Sequence, residues 1–284
     1  MRVRILMAAL LLAAPLFAPS TSHAQWVNHP TPDLPRTADG KPNLAAPAPR
    51  TGAHGMPDLS GVWQAEPAPI PELIKMLPGG QNGLGEDIPS KYFINILADY
   101  SRGREPLQPK AAAYAARLSI DAIQHDDVGI NCLPSGLPLF MMTPAPFKIV
   151  QTRGLVVVLS EGDNSFRQIF TDGRKHPEDP TPSWMGSSIG HWEGDTLVVE
   201  TIGFNGRGQL DAMGHRYSSA LRLTERYTRR STGHMDVQFT LDDPETFTRP
   251  ITVAVGMGLK ADTDLIEYVC AENEKDKQRI ALQH

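Results

Sequence analysis

The chain has 284 residues, of which 40% are hydrophobic and 21% charged, with 25 prolines, 24 glycines and 2 cysteines. This composition is typical of a globular protein rich in loops, and it excludes collagen, a coiled coil and a disulfide-dense mini-protein. Lys and Arg total 27 against 32 Asp and Glu, a net charge of -5, and no run of five basic residues occurs. The sequence therefore gives no electrostatic indication of DNA or RNA binding.

The first 24 residues have the pattern of a secretory signal peptide. Arg2 and Arg4 precede an apolar stretch at 5–18, and Ser22-His23-Ala24 is a small-x-small cleavage site. A membrane span needs about 20 apolar residues, and no later segment approaches that length. We therefore expect cleavage near Ala24 and a periplasmic or secreted protein without a membrane span.

Export changes how the two cysteines are interpreted. In an oxidising compartment, Cys132 and Cys270 are more often a disulfide than a catalytic or metal-binding pair, and the alternative is two buried free thiols. A bridge that closes so long a loop stabilises the fold by about 4 to 5 kcal/mol if loop entropy dominates. We expect the bridge to tie the region before the central strands to the C-terminal strand.

Residues 25–57 are rich in proline and contain a loose repeat. The two copies are P-R-T…G-K-P-N-L at 35–44 and P-R-T…G-M-P-D-L at 49–59. Such a segment cannot build a core of its own. We expect an extended arm that lies on the domain or docks a partner in the cell envelope.

The folded domain is predicted to span 58–284 and to begin with a strand at 59–64. Between about 67 and 127 the pattern changes toward helix. Pro109 suits the first position of a helix, and the Ala-rich stretch 110–124 follows it. A shorter helix is predicted at 90–100. Together these elements form a small helical insertion after the first strand.

From Phe147 onward the sequence predicts strands separated by turn residues. The nine β-rich runs are 147–152, 154–161, 166–171, 188–193, 195–204, 220–229, 235–241, 251–259 and 264–269. This spacing is typical of an antiparallel barrel or sandwich. The Gly-x-Trp of Gly61 and Trp63 is similar to that of calycin-like barrels, whose interior is filled by side chains or by a ligand. We therefore expect a mainly β fold, an antiparallel calycin-like β-barrel.

Seven short motifs are spread along the predicted domain. They are P-D-L-S-G-V-W at 57–63, C-L-P-S-G at 132–136, R-Q-I-F-T-D-G-R at 167–174, W-M-G at 184–186, W-E-G-D-T-L-V-V-E-T at 192–201, L-T-E-R at 223–226 and E-Y-V-C at 267–270. Together they resemble a large, uncharacterised family of exported bacterial proteins, over about 57–277. The resemblance implies no established activity. It implies a Gly-His-Pro-His-Ser-like stretch at 214–218 and a basic residue at His191; Tyr217 replaces the second histidine, which argues against a two-histidine mechanism here.

Glu225 is an acidic residue on an apolar strand face. Leu223 and Tyr227 share its face because side chains alternate along a strand. A buried carboxylate without a partner is very costly, so Glu225 should pair with an arginine or have a raised pKa suited to proton transfer. We favour a structural pair with Arg167 or Arg174 over catalysis.

Asp172-Gly173-Arg174 predicts a hairpin turn, since Asp-Gly is a strong turn signal. Arg174 and His176 would then project over the barrel mouth, with Trp184 as an aromatic wall, and an arginine there would suit an anionic oxygen. The predicted ligand-binding residues are Arg167, Arg174, His176, Trp184, His191 and Tyr227.

His215 follows Asp211 by four residues in the glycine-rich connection 203–219, and Asp211 would orient it as a general base. A loop histidine without a special role is the commoner case. A metal site formed by His176, His191 and His215 is a further alternative. No His-Glu-x-x-His motif and no close spacing of Cys and His supports it. We predict no metal and no other cofactor.

These observations leave three functions open. We favour binding of a small, partly apolar molecule in the barrel, with arginine and histidine at the mouth contacting its polar end. The second is a cofactor-free lyase, isomerase or hydrolase that uses Glu225, His215 and Asp211 for general acid-base catalysis. The third is a structural envelope protein whose arm docks a partner. The enzyme requires Glu225 and His215 to open into one cavity.

Overall fold

The computed structural model describes residues 29–51, 55–76, 89–117 and 131–270. Its centre is a closed barrel of nine strands. The barrel strands are β3 (Gly61–Ala65), β4 (Phe147–Thr152), β5 (Leu155–Ser160), β6 (Phe166–Phe170), β7 (Ser187–Glu193), β8 (Thr196–Ile202), β9 (Arg222–Arg229), β10 (His234–Asp242) and β11 (Ile251–Leu259). A separate two-stranded hairpin in the arm pairs β1 (Arg50–Thr51) with β2 (Met56–Pro57). The described helices fall between β3 and β4; they are α1 (Ile70–Met76), α2 (Lys91–Ile94), α3 (Pro109–Ala115) and α4 (Leu139–Met142).

The barrel strands pair in chain order around the ring. Leu259 of β11 pairs with Trp63 of β3, which closes the sheet. Neighbouring strands are antiparallel except for β6 and β7, which are parallel, so residues 171–186 must carry the chain back to the starting end of β6. The prediction of a mainly β barrel with a helical insertion is confirmed, with one parallel pair in an otherwise antiparallel ring.

The predicted C-terminal strand differs from the structure. The strand predicted at 264–269 is absent: the Leu265 and Ile266 N–H groups donate to the carboxylates of Asp264 and Glu161, at 2.8 and 2.9 Å. The barrel is already closed between β11 and β3, so the segment has no free sheet edge to join.

The helix predicted at 90–100 stops after one turn. Its continuation is replaced by side-chain acceptors, because Asn95 Oδ1 accepts from Leu97 N–H at 2.8 Å and Asp211 Oδ2 accepts from Ile96 N–H at 2.7 Å. Such local bonds compete with helical ones. The helix predicted at 110–124 is observed at Pro109–Ala115, and its second half, like the predicted signal peptide at 1–24, lies outside the described residues.

The barrel has two ends that differ in how the strands are joined. At the hairpin end, defined by the turns at 194–195 and 230–233, antiparallel strands connect tightly. The loop end is defined by the long connections 203–221 and 243–250, although β5 and β6 are joined there by the short segment 161–165. The arm lies along the hairpin end: Gly233 N–H donates to Leu44 O at 2.8 Å, and the Arg50 guanidinium pairs with Asp195 at 2.9 Å.

Side chains fill the interior of the barrel. Trp63, Phe147 and Phe239 are at most 1% exposed, and all four residues of α4 are buried. At the hairpin end the Arg229 guanidinium stacks 4.8 Å over the Trp63 ring and donates to backbone carbonyls, among them Ser231 O at 3.2 Å. Burial lowers the pKa of Arg229 to about 10, so it stays charged at neutral pH. Of the two interiors expected for such a barrel, the side-chain-filled one is observed.

The two cysteines form a disulfide. Cys132 and Cys270 are joined with an S–S distance of 2.06 Å and a Cα–Cα distance of 5.6 Å, which confirms the predicted pairing. The bond ties the segment before α4 to the chain that follows β11, across 138 residues of sequence. The disulfide therefore joins two segments that are not joined by strand pairing.

Replacement of both cysteines by serine should lower the free energy of unfolding by about 2 to 5 kcal/mol, because the unfolded chain regains the freedom of a long loop. Urea denaturation followed by circular dichroism measures the difference. Wild-type protein treated with a reductant serves as the control and should match the variant. If neither shifts the unfolding midpoint, the bond does not stabilise the fold.

Candidate functional site

The most enclosed charges of the barrel are Arg167 on β6 and Glu225 on β9. Their side chains are 1% and 0% exposed, and two guanidinium nitrogens face the two carboxylate oxygens, with Nη1 to Oε1 at 2.9 Å. Tyr227 donates its hydroxyl to Glu225 Oε1 at 2.7 Å. Arg167 also donates to Ser188 Oγ at 3.0 Å and to Thr201 Oγ1 at 2.7 Å. The expected arginine partner of Glu225 is therefore Arg167.

The surroundings of this pair indicate a structural role. Burial acts to lower the pKa of Arg167, but the charge of Glu225 and the bonds between the two groups outweigh it and raise that pKa, so the guanidinium stays charged. Glu225 lines none of the cavities described for this chain, and neither do its partners Arg167 and Tyr227. The enzyme hypothesis requires Glu225 to lie together with His215 and Asp211. The structure does not bring it together with them.

Breaking the pair from one side should be costly. Glu225→Leu leaves a buried guanidinium without its counter-charge, so the free energy of unfolding should fall by about 3 to 5 kcal/mol. Arg167→Met should do the same. The double variant should lose much less than the sum of the two, because no buried charge remains. Urea unfolding of the four proteins measures this coupling; additive losses would show that the pair is not coupled.

Arg174 follows β6 at the hairpin end of the barrel, away from the loop end. Its Nη2 and Nε bond to Asp172 Oδ2 at 2.6 and 3.0 Å, and its guanidinium stacks 3.8 Å over Phe170. The hairpin predicted at Asp172-Gly173-Arg174 is wrong, because β6 is followed by a parallel strand rather than by an antiparallel partner. The residues form a turn, with Gly173 at φ 83°, beside the β4–β5 hairpin.

The other predicted ligand residues lie in separate surroundings. Both ring nitrogens of His176 are buried without a hydrogen-bond partner in the described structure, and burial lowers its pKa despite the charge of Glu200, so the ring is neutral at pH 7. Trp184 packs under the guanidinium of Arg207 at 5.2 Å. His191 is exposed on β7, with Nε2 3.3 Å from Glu193 Oε1. The six residues do not form one site.

A cavity of about 730 Å³ opens at the loop end. Three segments form its walls: 107–111 with Tyr114 around α3, 215–218 in the β8–β9 connection, and 244–247 in the β10–β11 connection. The apolar wall is made by Leu107, Pro109, Ala111, Tyr114, Tyr217, Pro244 and Phe247, and the polar side chains are Gln108, Lys110, His215, Arg216, Ser218, Glu245 and Thr246. Its volume falls in the range of ligand pockets.

Backbone hydrogen bonds fix two of these walls to each other. Gln108 N–H donates to Thr246 O at 2.8 Å, and Thr248 N–H donates to Pro106 O at 2.8 Å. The third wall is held by the buried Asp243, whose two carboxylate oxygens accept from Ser218 N–H and Ser218 Oγ, both at 2.7 Å. The cavity is therefore formed before any ligand arrives.

His215 and Asp211 make a close pair in the wall of this cavity. His215 Nδ1 lies 2.6 Å from Asp211 Oδ2, and since a carboxylate accepts, Nδ1 is the donor. Asp211 is 0% exposed and also accepts from the N–H groups of Ile96 at 2.7 Å and of His215 at 3.1 Å. The imidazole is 14% exposed, and its Nε2 lies on the side of the ring away from Asp211. This part of the predicted catalytic set is brought together.

The surroundings of His215 favour its charged form. Burial acts to lower its pKa, but the hydrogen bond and the charge of Asp211, with the charge of Glu105, outweigh burial and raise the pKa above the ordinary histidine value. The imidazole can serve as a base in its neutral form or as a partner for an anion in its charged form.

Tyr217 gives the cavity a neutral wall. Its ring meets Phe204 edge-on at 5.4 Å between centroids, and its hydroxyl packs against Gly136 and Gly208, where a Cβ atom would collide with it. Burial raises the pKa of the hydroxyl. Tyr217 therefore adds no titrating group near neutral pH.

Sequence reasoning missed most of this cavity. Lys110, Tyr114, Glu245 and Phe247 were not predicted as site residues, because they are single positions in two segments more than 120 residues apart. Only the Asp211 and His215 spacing carried a signal.

Comparison of the chain with models of known protein families, with characterised proteins and with experimentally determined structures finds no match. In the part of the chain that the structure describes, no helix has the length and apolar character of a membrane span. Nor does that part contain three or more histidine, cysteine or acidic side chains grouped to hold a metal ion.

Proposed function

We propose that the protein binds a small, partly apolar molecule, with its polar end held by charged side chains, in the cavity at the loop end. The observation that carries this proposal is the cavity itself, about 730 Å³ in volume and lined by both kinds of side chain. Ligand sites typically combine a mostly apolar wall with a few polar groups that fix orientation.

The lining indicates the character of the molecule. Leu107, Tyr114 and Phe247 offer an apolar surface, whereas Lys110 and Arg216 bring positive charge and Glu245 one negative charge. Protonation of His215 adds a further positive charge. A ligand with an aliphatic or aromatic body and an anionic or strongly polar end matches this lining best.

The proposed site is at the end of the barrel rather than inside it. The interior is occupied by the Arg167 and Glu225 pair, by α4 and by the stack of Arg229 on Trp63. Loops fixed on a rigid scaffold are where binding sites usually lie. The loop end offers the room that the interior lacks.

We also propose that the protein works outside the cytoplasm. The disulfide between Cys132 and Cys270 supports this, because such bonds persist in oxidising compartments. The signal-peptide pattern of the first 24 residues points the same way.

Filling the cavity should abolish binding. Ala111 lines the cavity from α3, so Ala111→Trp places an indole in the ligand's space. We expect the variant to bind 8-anilinonaphthalene-1-sulfonate, an aromatic anion, at least about tenfold more weakly than wild type, a difference of about 1.4 kcal/mol. Fluorescence titration of the dye measures the affinity.

Ala112→Trp is the matched control, because Ala112 is the next residue of the same helix and is exposed outside the cavity. It should bind the dye as wild type does. Equal affinities of the two variants would place the dye elsewhere and contradict the proposal.

A further inference from the structure

We propose that the Asp211 and His215 pair makes this cavity a catalytic site, in which His215 Nε2 activates water to hydrolyse a carboxylic ester with a small apolar acyl group. The inference rests on the proposed binding function, since the ester would occupy the same cavity. It goes further by assigning a reaction and a role to each of the two residues.

The geometry of the pair provides an oriented base. Asp211 is fully buried and bonds to His215 Nδ1 at 2.6 Å, which fixes the tautomer and leaves the lone pair on Nε2. Asp211 is itself held by the Ile96 N–H group at 2.7 Å, so the ring orientation is set by the scaffold. A general base needs this placement in reach of its substrate.

The charges around the cavity suit the transition state of ester hydrolysis. Lys110 and Arg216 line the same cavity as His215, and positive groups stabilise the oxyanion that develops on the ester carbonyl. The apolar side chains of Leu107 and Phe247 offer a surface for the acyl group.

Water rather than a serine is the nucleophile. Ser218 also lines the cavity, but its hydroxyl donates to the buried Asp243 at 2.7 Å and its N–H bonds to the same carboxylate. That hydroxyl is held by a structural carboxylate rather than by His215. A direct attack by water needs no acyl-enzyme intermediate.

The reaction balances without a cofactor. The water oxygen bonds to the acyl carbon while His215 Nε2 takes one water proton, and the carbonyl electron pair moves to oxygen. Collapse of this intermediate breaks the bond between the acyl carbon and the alcohol oxygen. The imidazolium then returns its proton to the departing oxygen, and ester plus water become acid plus alcohol.

The reaction should depend on pH in a defined direction. The active form of His215 is neutral, so the rate should rise as pH increases through its pKa. Asp211 and Glu105 raise that pKa, whereas the positive charges of Lys110 and Arg216 in the same lining oppose them and Glu245 adds to them. The rising limb should therefore lie above the ordinary histidine value of about 6.5.

His215→Asn separates catalysis from structure. The Asn amide reaches the position of Nδ1 and can still donate to Asp211, but it has no base in place of Nε2. We expect this variant to hydrolyse 4-nitrophenyl butyrate with kcat/KM reduced at least about 100-fold. Release of 4-nitrophenol measures the rate, and the melting temperature should stay close to that of wild type.

His234→Asn is the matched control. His234 Nδ1 lies 2.6 Å from Glu66 Oε1, the same distance as in the Asp211 pair, but its Nε2 is bonded to Asp236 and it lines none of the described cavities. This variant should retain the wild-type rate. Asp211 is a positioning residue, and Asp211→Asn should shift the rising limb to lower pH, an effect that loss of packing alone would not produce.

Each outcome decides one proposal. A wild-type rate no higher than that of free imidazole, or equal rates for wild type and His215→Asn, would overturn the catalytic role. An equal loss in His234→Asn would do so too, since the loss would then not report a base in the cavity. If Ala111→Trp leaves dye binding unchanged, the binding proposal itself fails; if binding depends on the cavity but the rate does not depend on His215, catalysis alone is refuted.

Discussion

A charge stays inside a packed barrel only when it is paired, and the interior of this one is organised around Arg167 and Glu225. The guanidinium meets the carboxylate in a two-point contact, with Ser188 and Thr201 as further acceptors and Tyr227 bonded to Glu225. The network joins β6, β7, β8 and β9, and its bonded side chains occupy the interior of the barrel. The room for a ligand lies instead in the cavity at the loop end.

Buried charges at the loop end are also paired, and their partners include backbone N–H groups. Asp211 and Asp243 are both buried, and each accepts from backbone N–H groups on separate segments: Asp211 from Ile96 and His215, Asp243 from Ser218 and Glu245. A buried carboxylate that accepts from several N–H groups satisfies the backbone of irregular chain and holds its segments together. These two residues give long connections the rigidity that a binding or catalytic site requires.

Features that depend on local periodicity could be predicted from the sequence. Alternation placed Glu225 on the apolar face of β9, and the arginine expected as its partner is Arg167. Prediction from the sequence failed where contacts with distant parts of the chain determine the structure. The segment 264–269 has the composition of a strand, but the closed barrel leaves it no free edge to join. The cavity was beyond prediction because Gln108 and Thr246 meet through backbone atoms, which leave no pattern of side chains in the sequence.

Two histidines of this chain make the same bond to a carboxylate, yet their surroundings give them different capacities. His234 is 37% exposed and both its nitrogens are bonded to carboxylates, so the hydrogen bonds to Glu66 and Asp236 outweigh burial and raise its pKa. Neither nitrogen is left to exchange a proton with a substrate. His215 is 14% exposed, bonds Asp211 through one nitrogen and lines a cavity. A short histidine-carboxylate contact is therefore not itself a catalytic feature, and what distinguishes His215 is the space beside it.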